Sequence, residues 1–219
     1  MSIYVGNKKI SKITIGGGGA IVKKAFKGST LVFGKEIFEY TFTSSGNITL
    51  PQTLTSLYVV VVGAGGGGGG ANAYSTSAWW TGSGGASGGC SIRQYTADEI
   101  NNLKGKTISF IVGAGGGSAS FSDGGVGGQS KFQNQIANGG GAGKYNNMGN
   151  ANSYNAPGGT ASGGNIANTT GNAGGVGGNY STNGLPGESV WNGYGKGGNG
   201  GFPSGSNGTN GCIYIRYEF

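Results

Sequence analysis

The sequence has no histidine and few charged side chains, and both shortages restrict its chemistry. Only 10% of its 219 residues are charged. Without histidine, the chain lacks the usual general base at neutral pH and the most common metal-ligating side chain. Its seven acidic residues do not recur as paired carboxylates or as metal-binding loops. The sequence therefore predicts no catalytic site, no metal site and no cofactor.

One nucleotide-binding pattern is present, but its context argues against a nucleotide site. Gly63–Gly68 fits G-x-G-x-x-G and follows an apolar strand. A dinucleotide site also needs a helix at that point and an acidic residue about 20 positions further on. The chain continues instead into more glycine and a Ser/Thr/Trp segment, and the next acidic residue is Asp98. We interpret the match as a product of composition and predict that the protein is not an enzyme.

Cysteines and long apolar runs are also scarce. Cys90 and Cys212 are too few for a disulfide framework. Each follows a glycine and opens an apparent strand, which favours two reduced, packed thiols and leaves open whether they pair. No apolar run approaches the roughly 20 residues of a membrane span. Met1–Val5 lacks the basic-then-apolar order of a signal peptide, so the sequence predicts synthesis in the cytoplasm and no membrane insertion.

The net charge of +7 is concentrated near the N-terminus. Residues 1–40 contain seven Lys and two Glu, a net +5, and residues 41–219 contain seven Lys or Arg and five Asp or Glu, a net +2. The lysines alternate with β-forming residues, a pattern typical of a solvated strand face. The sequence therefore predicts no nucleic-acid partner.

Glycine, by contrast, is abundant: 54 residues, which arrive in clumps such as 65–70, 115–117, 124–128, 139–141 and 174–178. A flexible Gly/Ser linker would lack the Val, Phe, Trp and Tyr that punctuate these clumps. Polyglycine can adopt the left-handed polyproline II geometry, which has no internal hydrogen bonds. Neighbouring polyglycine helices must then satisfy each other's backbone groups, and only glycine permits that approach. The clumps predict an ordered, packed scaffold.

Apolar strands lie on both sides of this glycine-rich stretch, and they predict an all-β fold. Thr96–Glu99 forms a capping box that opens one short helix ending near 104–105. We predict a jelly-roll-like β-sandwich with packed polyglycine helices over 39–219, in which 71–87 is a polar excursion. The predicted strands are 39–43, 57–62, 90–95, 107–112 and 212–219.

Residues 1–38 are predicted to form a separate β attachment segment. Short β-elements are expected at 9–15, 21–26 and 29–33, with glycines between them. So small an apolar set does not easily fold alone, so the segment is expected to gain stability from a partner or from self-association. The predicted attachment residues are Ile13, Ile15, Phe26, Leu31 and Phe33.

Aromatic residues in polar excursions are the best indication of a binding site. They are surrounded by Asn, Ser, Thr and Gly, a mixture of rigid anchors and adaptable polar groups that is typical of binding loops. The alternative, that such rings cover a small core from outside, remains open, above all for Tyr180 and Trp191. The predicted binding residues are Tyr74, Trp79, Trp80, Tyr145, Met148, Tyr154, Tyr180, Trp191, Tyr194 and Phe202.

The order of these pieces resembles the glycine-rich domain at the ends of bacteriophage tail fibres. It is similar, more distantly, to the adhesins that cap T-even-type phage fibres, and the resemblance covers about 180 residues from roughly 39 to the end. The segments that carry it are Thr41–Thr43, Tyr58–Gly70, Gly89–Tyr95, Phe110–Gly116, Gly127–Phe132 and Gly211–Tyr217.

The resemblance implies a tail-fibre or tail-tip adhesin in the virion. Aromatic loops on a polyglycine scaffold would then bind a bacterial surface receptor, either an outer-membrane protein or a polysaccharide. The N-terminal segment would join other tail-fibre or virion proteins, and a homotrimer is one assembly open to such a chain. The alternatives are a structural or decoration protein of the virion and a glycan- or ice-binding module; irregular threonine spacing argues against ice.

Overall fold

The computed structural model describes residues 37–72, 80–147, 154–178 and 182–219 in full, together with the backbone of short strands within 3–33 and 73–79. Nearly all regular structure in these residues is β, as the sequence predicts. Strands β1–β6 form three antiparallel pairs, β1 with β2, β3 with β4 and β5 with β6. These strands are β1 (Ile3–Val5), β2 (Lys8–Ile10), β3 (Thr14–Ile15), β4 (Ala20–Ile21), β5 (Ala25–Lys27) and β6 (Thr30–Phe33).

The predicted attachment residues are placed only in part. The structure divides the segment 9–15 between β2 and β3. Ile15 lies in β3, Phe26 in β5, and Leu31 and Phe33 in β6. Ile13 lies outside the described residues.

Two five-stranded antiparallel sheets form a sandwich, which confirms the predicted fold class. The first sheet has the order β17-β12-β9-β18-β7 and the second the order β16-β15-β14-β13-β8. The first sheet contains β7 (Ile37–Phe42), β9 (Ser56–Val62), β12 (Cys90–Gln94), β17 (Ala167–Thr169) and β18 (Cys212–Glu218). The second contains β8 (Gly46–Thr49), β13 (Thr107–Ile111), β14 (Ser130–Phe132), β15 (Gln135–Ala137) and β16 (Ala161–Ser162).

The hydrophobic core lies between the two sheets. Leu57, Val59 and Val61 of β9 pack there beside Ile213 and Ile215 of the neighbouring β18, whose register pairs Val61 with Ile213 and Val59 with Ile215. The second sheet contributes Ile108, Phe110 and Phe132. The other face of β9 is also buried, because Val60 and Val62 pack in a second cluster with Cys90 and Cys212. Burial on both faces explains why residues 59–62 are continuously apolar.

Helix α1 (Ala97–Leu103) begins at the predicted capping box and turns Ile100 and Leu103 into the core. The Thr96 hydroxyl accepts from the Glu99 N–H, while the Thr96 N–H donates to the Glu99 carboxylate at 2.9 Å. Arg93 also pairs with that carboxylate. The backbone hydrogen bond from Thr96, followed by the bond and charge of Arg93, lowers the pKa of Glu99.

The capping box predicts a defined pH dependence of stability. A carboxylate whose pKa is lowered by folding stabilises the protein above its unfolded pKa of about 4.3, and that contribution disappears as the pH falls through the folded value. We therefore expect the stability advantage of the wild type over Glu99→Gln, measured by urea unfolding, to be largest near neutral pH and to shrink below about pH 4. Thr96→Ala should cost about 1 kcal/mol at neutral pH. A wild-type advantage that grows on acidification would contradict this assignment.

Beyond the sandwich, the glycine clumps form a bundle of polyglycine II helices. At its centre is inner helix 1, residues 63–71. Each of its N–H groups donates to a neighbouring run at 2.8–3.2 Å, and successive residues reach three neighbours in rotation, the segments 83–89, 122–128 and 203–209. Carbonyls of inner helix 1 accept hydrogen bonds from N–H groups of three further runs, at Gly116, in 140–146 and in 198–201. Successive residues face different neighbours in this way because a polyproline II helix has about three residues per turn.

Inner helix 2, residues 81–89, repeats the pattern. Its N–H groups donate in rotation to segments 138–144, 172–178 and 195–201 at 2.8–3.1 Å. The sequence-based prediction of a polar excursion over 71–87 is therefore wrong for 81–87, where Thr81, Ser83 and Ser87 are buried. Small hydroxyl side chains fit because they bond to adjacent backbone, as Ser83 Oγ does to the Lys144 N–H at 2.7 Å.

The runs alternate in direction within the described residues. Outgoing runs leave the sandwich and returning runs come back to it. An outgoing and a returning run bond antiparallel, as in the pairs Gly66 with Ala86 and Gly67 with Gly125, whereas two outgoing runs bond in parallel, as 63–70 does with 139–146. An outgoing run of eight residues is about 25 Å long. The outgoing runs are 63–70, 113–117, 139–146, 171–178 and 195–201, and the returning runs are 81–89, 124–128, 155–160, 184–187 and 205–211.

The two cysteines are free and buried on one face of the first sheet. Cys90 and Cys212 both pair in register with Val62, which lies on the strand between them. Two strand spacings separate their Cα atoms by about 9–10 Å, beyond the roughly 7 Å that a disulfide can bridge. The question that the sequence leaves open is thereby resolved in favour of two packed thiols.

Both thiols are expected to resist modification in the folded protein. Burial raises the pKa of Cys90 to about 11 and that of Cys212 to about 12. The reactive thiolate is therefore scarce near pH 8, where a free thiol with a pKa of about 8.5 is already partly ionised. We expect no reaction with a thiol reagent such as DTNB under native conditions and two reactive thiols per chain in denaturant. Rapid labelling of native protein would contradict the burial of this cluster.

Candidate functional site

The outgoing and returning runs connect through loops that meet at the end of the bundle away from the sandwich. We call the described parts of loops 71–80, 118–123, 147–154, 179–183 and 202–204, together with the end of the outgoing run at 144–146, the distal surface. Around the end of inner helix 1, Gly70 N–H donates to Ser122 O at 3.0 Å and Ala71 N–H to Pro203 O at 3.2 Å. Phe121 N–H also donates to Pro203 O, at 3.3 Å. Segments far apart in sequence therefore form one continuous surface.

An ion pair and an aromatic ring organise part of the distal surface. Asp123 accepts from Lys144 Nζ at 2.6 Å and from the Tyr145 N–H at 2.8 Å. Burial pushes the pKa of Asp123 up, but these two hydrogen bonds outweigh it, so the pKa of this carboxyl lies below its usual range. Lys144 Nζ lies 5.6 Å from the centroid of the Tyr154 ring, within the range of a cation–π contact. The ring is thereby positioned beside a pair that stays charged at neutral pH.

The base of the distal surface is rigid. Asn146 is fully buried, and its Nδ2 donates to Thr81 O at 3.0 Å. Its N–H donates to Gly70 O, and Asn72 N–H donates to Asn146 O. Thr81 also connects to the next loop, because its N–H donates to Gly178 O and its hydroxyl to Thr182 O. Loops held in this way lose less conformational freedom when they bind a partner.

The structure brings four of the predicted binding residues to the distal surface. Trp80, Tyr145 and Tyr154 are half-buried there, and Phe202 is exposed. Phe121, exposed beside Pro203, belongs to the same surface and was not among the predicted binding residues. Tyr74 lies in β10 (Ala73–Ser75) and Trp79 in β11 (Ala78–Trp79), which pair antiparallel. Met148 and Tyr180 lie outside the described residues.

Trp191 and Tyr194 lie at the other end of the bundle. The segment 188–194 connects a returning run to an outgoing run, which places it against the sandwich. There both rings pack on the cluster formed by Val60, Val62 and the two cysteines. Their contacts are therefore those of rings that cover a core from outside, the alternative that the sequence left open. Trp191 lies 5.6 Å from Tyr214 and 6.0 Å from Tyr194, centroid to centroid.

These rings line an open cavity of about 610 Å³ on the outer face of the first sheet. We call it the aromatic groove. Its sheet residues were not among the predicted binding residues, although alternation along β9 and β18 places Tyr58 on the same face as Val60, and Tyr214 on the same face as Cys212. The groove is lined by the aromatic residues Tyr58, Trp191, Tyr194 and Tyr214 and by the polar residues Glu39, Thr41 and Asn192.

The chemistry available at both surfaces suits recognition. They present aromatic rings, amides, hydroxyls and single ion pairs. Among the residues that the structure describes, no group of three or more Cys, Asp or Glu side chains is arranged to hold a metal ion. Nor does any helix in that part of the chain have the length and apolarity to cross a membrane.

Comparison with known proteins agrees with the glycine-rich architecture. A search of curated proteins finds no match. A family model described as a glycine-rich domain matches residues 41–211, a range that includes both inner helices and the loops of the distal surface. Since this match covers well over half of the 219 residues, the chain belongs to the glycine-rich domain family.

Proposed function

We propose that this protein is an adhesin at the tail fibre or tail tip of a bacteriophage, where it binds a receptor on the bacterial surface. The observation that carries the proposal is the convergence of aromatic-bearing loops at the free end of a stiff polyglycine bundle. Trp80, Tyr145 and Tyr154 come together there from two separate excursions. Trp and Tyr supply much contact area at low entropic cost and dominate binding energy at many interfaces.

The resemblance of the sequence to tail-fibre glycine-rich domains supports the same proposal. In this role the bundle projects the distal surface about 25 Å beyond the sandwich, and the N-terminal segment joins other virion proteins. The receptor is an outer-membrane protein or a surface polysaccharide, and the mechanism is binding without covalent chemistry. The protein is then made in the host cytoplasm and assembled into the virion.

Labelled full-length protein offers a direct test of this proposal. It should bind a subset of strains in a panel of bacteria, with and without their surface polysaccharide, and it should compete with the phage for adsorption. Loss of binding on strains stripped of polysaccharide would identify a glycan receptor, whereas retained binding would identify a protein. A chain that coats no strain in a panel that includes the susceptible host would overturn the proposal.

A purely structural role in the virion is the second candidate. It is favoured by exposed apolar side chains on the flanks of the bundle, where Val126 is 68% and Leu185 is 71% exposed. Such residues suit lateral contacts with other virion chains. Failure to coat any susceptible cell, combined with binding to purified fibre components, would favour this role.

A further inference from the structure

We infer that the aromatic groove is a saccharide-binding site, separate from the distal surface. It goes beyond the proposed function, because the groove lies on the sandwich, at the opposite end of the bundle from the loops assigned to the receptor. Saccharide binding in the groove is therefore independent of whether the distal surface contacts a cell.

The lining chemistry points to an amphipathic ligand that carries many hydroxyl groups. Each residue that lines the groove has a hydrogen-bonding group: the Tyr hydroxyls, the Trp191 indole N–H, the Glu39 carboxylate, the Thr41 hydroxyl and the Asn192 amide. Four of them also present an aromatic face. Pyranose rings have C–H faces that suit aromatic surfaces and equatorial hydroxyls that suit such a polar rim. A volume of about 610 Å³ lies within the roughly 300–1,000 Å³ typical of small-ligand sites.

The two rings on the loop side are held in place before any ligand arrives. Asn192 and Gly193 have φ angles of 47° and 82°, the left-handed conformations of a two-residue type I′ turn, for which Asn-Gly is the favoured sequence. This turn pairs Trp191 with Tyr194, and the Tyr194 N–H donates to Trp191 O at 3.1 Å. The Ser189 hydroxyl accepts from the Trp191 N–H, also at 3.1 Å. Both side chains therefore project from the same face of a fixed hairpin.

The charges beside the groove disfavour a cationic ligand. Trp191 and Tyr194 form a shelf, because their planes differ by only 26°, while Tyr214 is tilted by 46° from Trp191 and lies edge-on to Tyr58. Glu39, the acidic residue in the lining, already lies 3.5 Å from Arg216 Nε. Burial, and then the hydrogen bond to Glu39, raises the pKa of Tyr214. The negative charge of Glu39 is thus balanced by Arg216. A carboxylate has about four acceptor sites, so Glu39 can still accept hydrogen bonds from sugar hydroxyls.

A glycan array followed by calorimetric titration tests the inference on the full-length chain. The array carries neutral bacterial glycans together with maltotriose, cellotriose and chitotriose. Tetramethylammonium and a proline-rich peptide serve as probes for the rival ligand classes. We expect at least one saccharide to bind with a Kd of about 1 mM or tighter and to change tryptophan fluorescence. We expect neither rival probe to bind.

Variants assign the binding to the groove. Trp191→Ala should weaken the saccharide about tenfold or more. Tyr214→Phe, which keeps the ring and removes only the hydroxyl, should weaken it about threefold or more without loss of the folded circular dichroism spectrum. Val126→Ala, which removes an exposed side chain on the flank of the bundle away from both surfaces, should leave the affinity unchanged. The inference is overturned by an array on which no saccharide binds, by equal binding to wild type and Tyr214→Phe, or by binding of a rival probe in place of sugars.

Discussion

Replacing Gly67 with alanine is expected to lower the free energy of unfolding by about 3 kcal/mol or more. Gly67 lies in the middle of inner helix 1, surrounded by other runs. A Cβ there would lie within 3.0 Å of the backbone of Gly116 and Gly117. Backbone atoms cannot rotate away as a side chain can, so two hydrogen-bonded runs would have to separate. The midpoint of thermal unfolding should fall by roughly 10 °C for a chain of this size.

Gly117→Ala is the matched control. Gly117 lies in the run that Gly67 approaches, but a Cβ at Gly117 meets no atom within 4 Å. This substitution should be neutral or should stabilise by about 0.5 kcal/mol, because it reduces the conformational freedom of the unfolded chain. Both variants can be compared with wild type by thermal and urea unfolding. If Gly67→Ala proved as stable as Gly117→Ala, the close packing of the inner helix would be wrong.

The strands and the helix were predictable from sequence because their signals are local. Residues 57–62 are apolar along their whole length, and β9 occupies 56–62. The alternation in 212–219 corresponds to β18, which pairs with β9 on one side and β7 on the other. The capping box at Thr96 opens α1 as predicted. In each case the residues that determine the element are those that form it.

Short strands inside the glycine-rich stretch were not predictable in this way. β15 has no apolar alternation: Gln135 is fully buried, and its Nε2 lies near Val59 O and Ser91 O at 3.3 and 3.2 Å. A polar side chain satisfied by strands over 40 residues away gives no local signal. β17 likewise consists of Ala167–Thr169, without a large apolar residue. The sequence also does not indicate which glycine run bonds to which, because runs of the same residue look alike in sequence.

The division of the aromatic residues between two ends follows from counting runs. A loop that joins an outgoing run to a returning run lies on the distal surface, whereas a loop that joins a returning run to an outgoing run lies at the sandwich. This parity separates Trp80 and Tyr154 from Trp191 and Tyr194. Composition treats all four alike, since each is an aromatic residue in a polar, glycine-rich setting. The signal was present in the order of the runs, but it becomes usable only when their alternating direction is known.

The double variant Trp80→Ala/Tyr154→Ala is expected to reduce binding to susceptible bacteria by about 100-fold or more. Both rings belong to the distal surface, and each is half-buried in it. Hot-spot residues, among which Trp and Tyr are enriched, contribute about 2 kcal/mol or more each to binding. Neither residue belongs to the hydrophobic core between the sheets, so the thermal midpoint should stay within a few degrees of wild type. Binding is measured with labelled protein on the strain that adsorbs it.

Val126→Ala/Leu185→Ala is the control for this prediction, because it also removes two exposed apolar side chains but takes them from the flanks of the bundle. It should bind cells as wild type does if contact occurs at the distal surface. Loss of binding in the flank variant alone would place the cell contact on the flank of the bundle and contradict its assignment to the distal surface. Full binding by the distal variant, with its folded spectrum intact, would contradict the receptor assignment. The stiffness of the bundle is what makes this comparison informative, since the inner helices keep the two surfaces apart and changes at one leave the other in place.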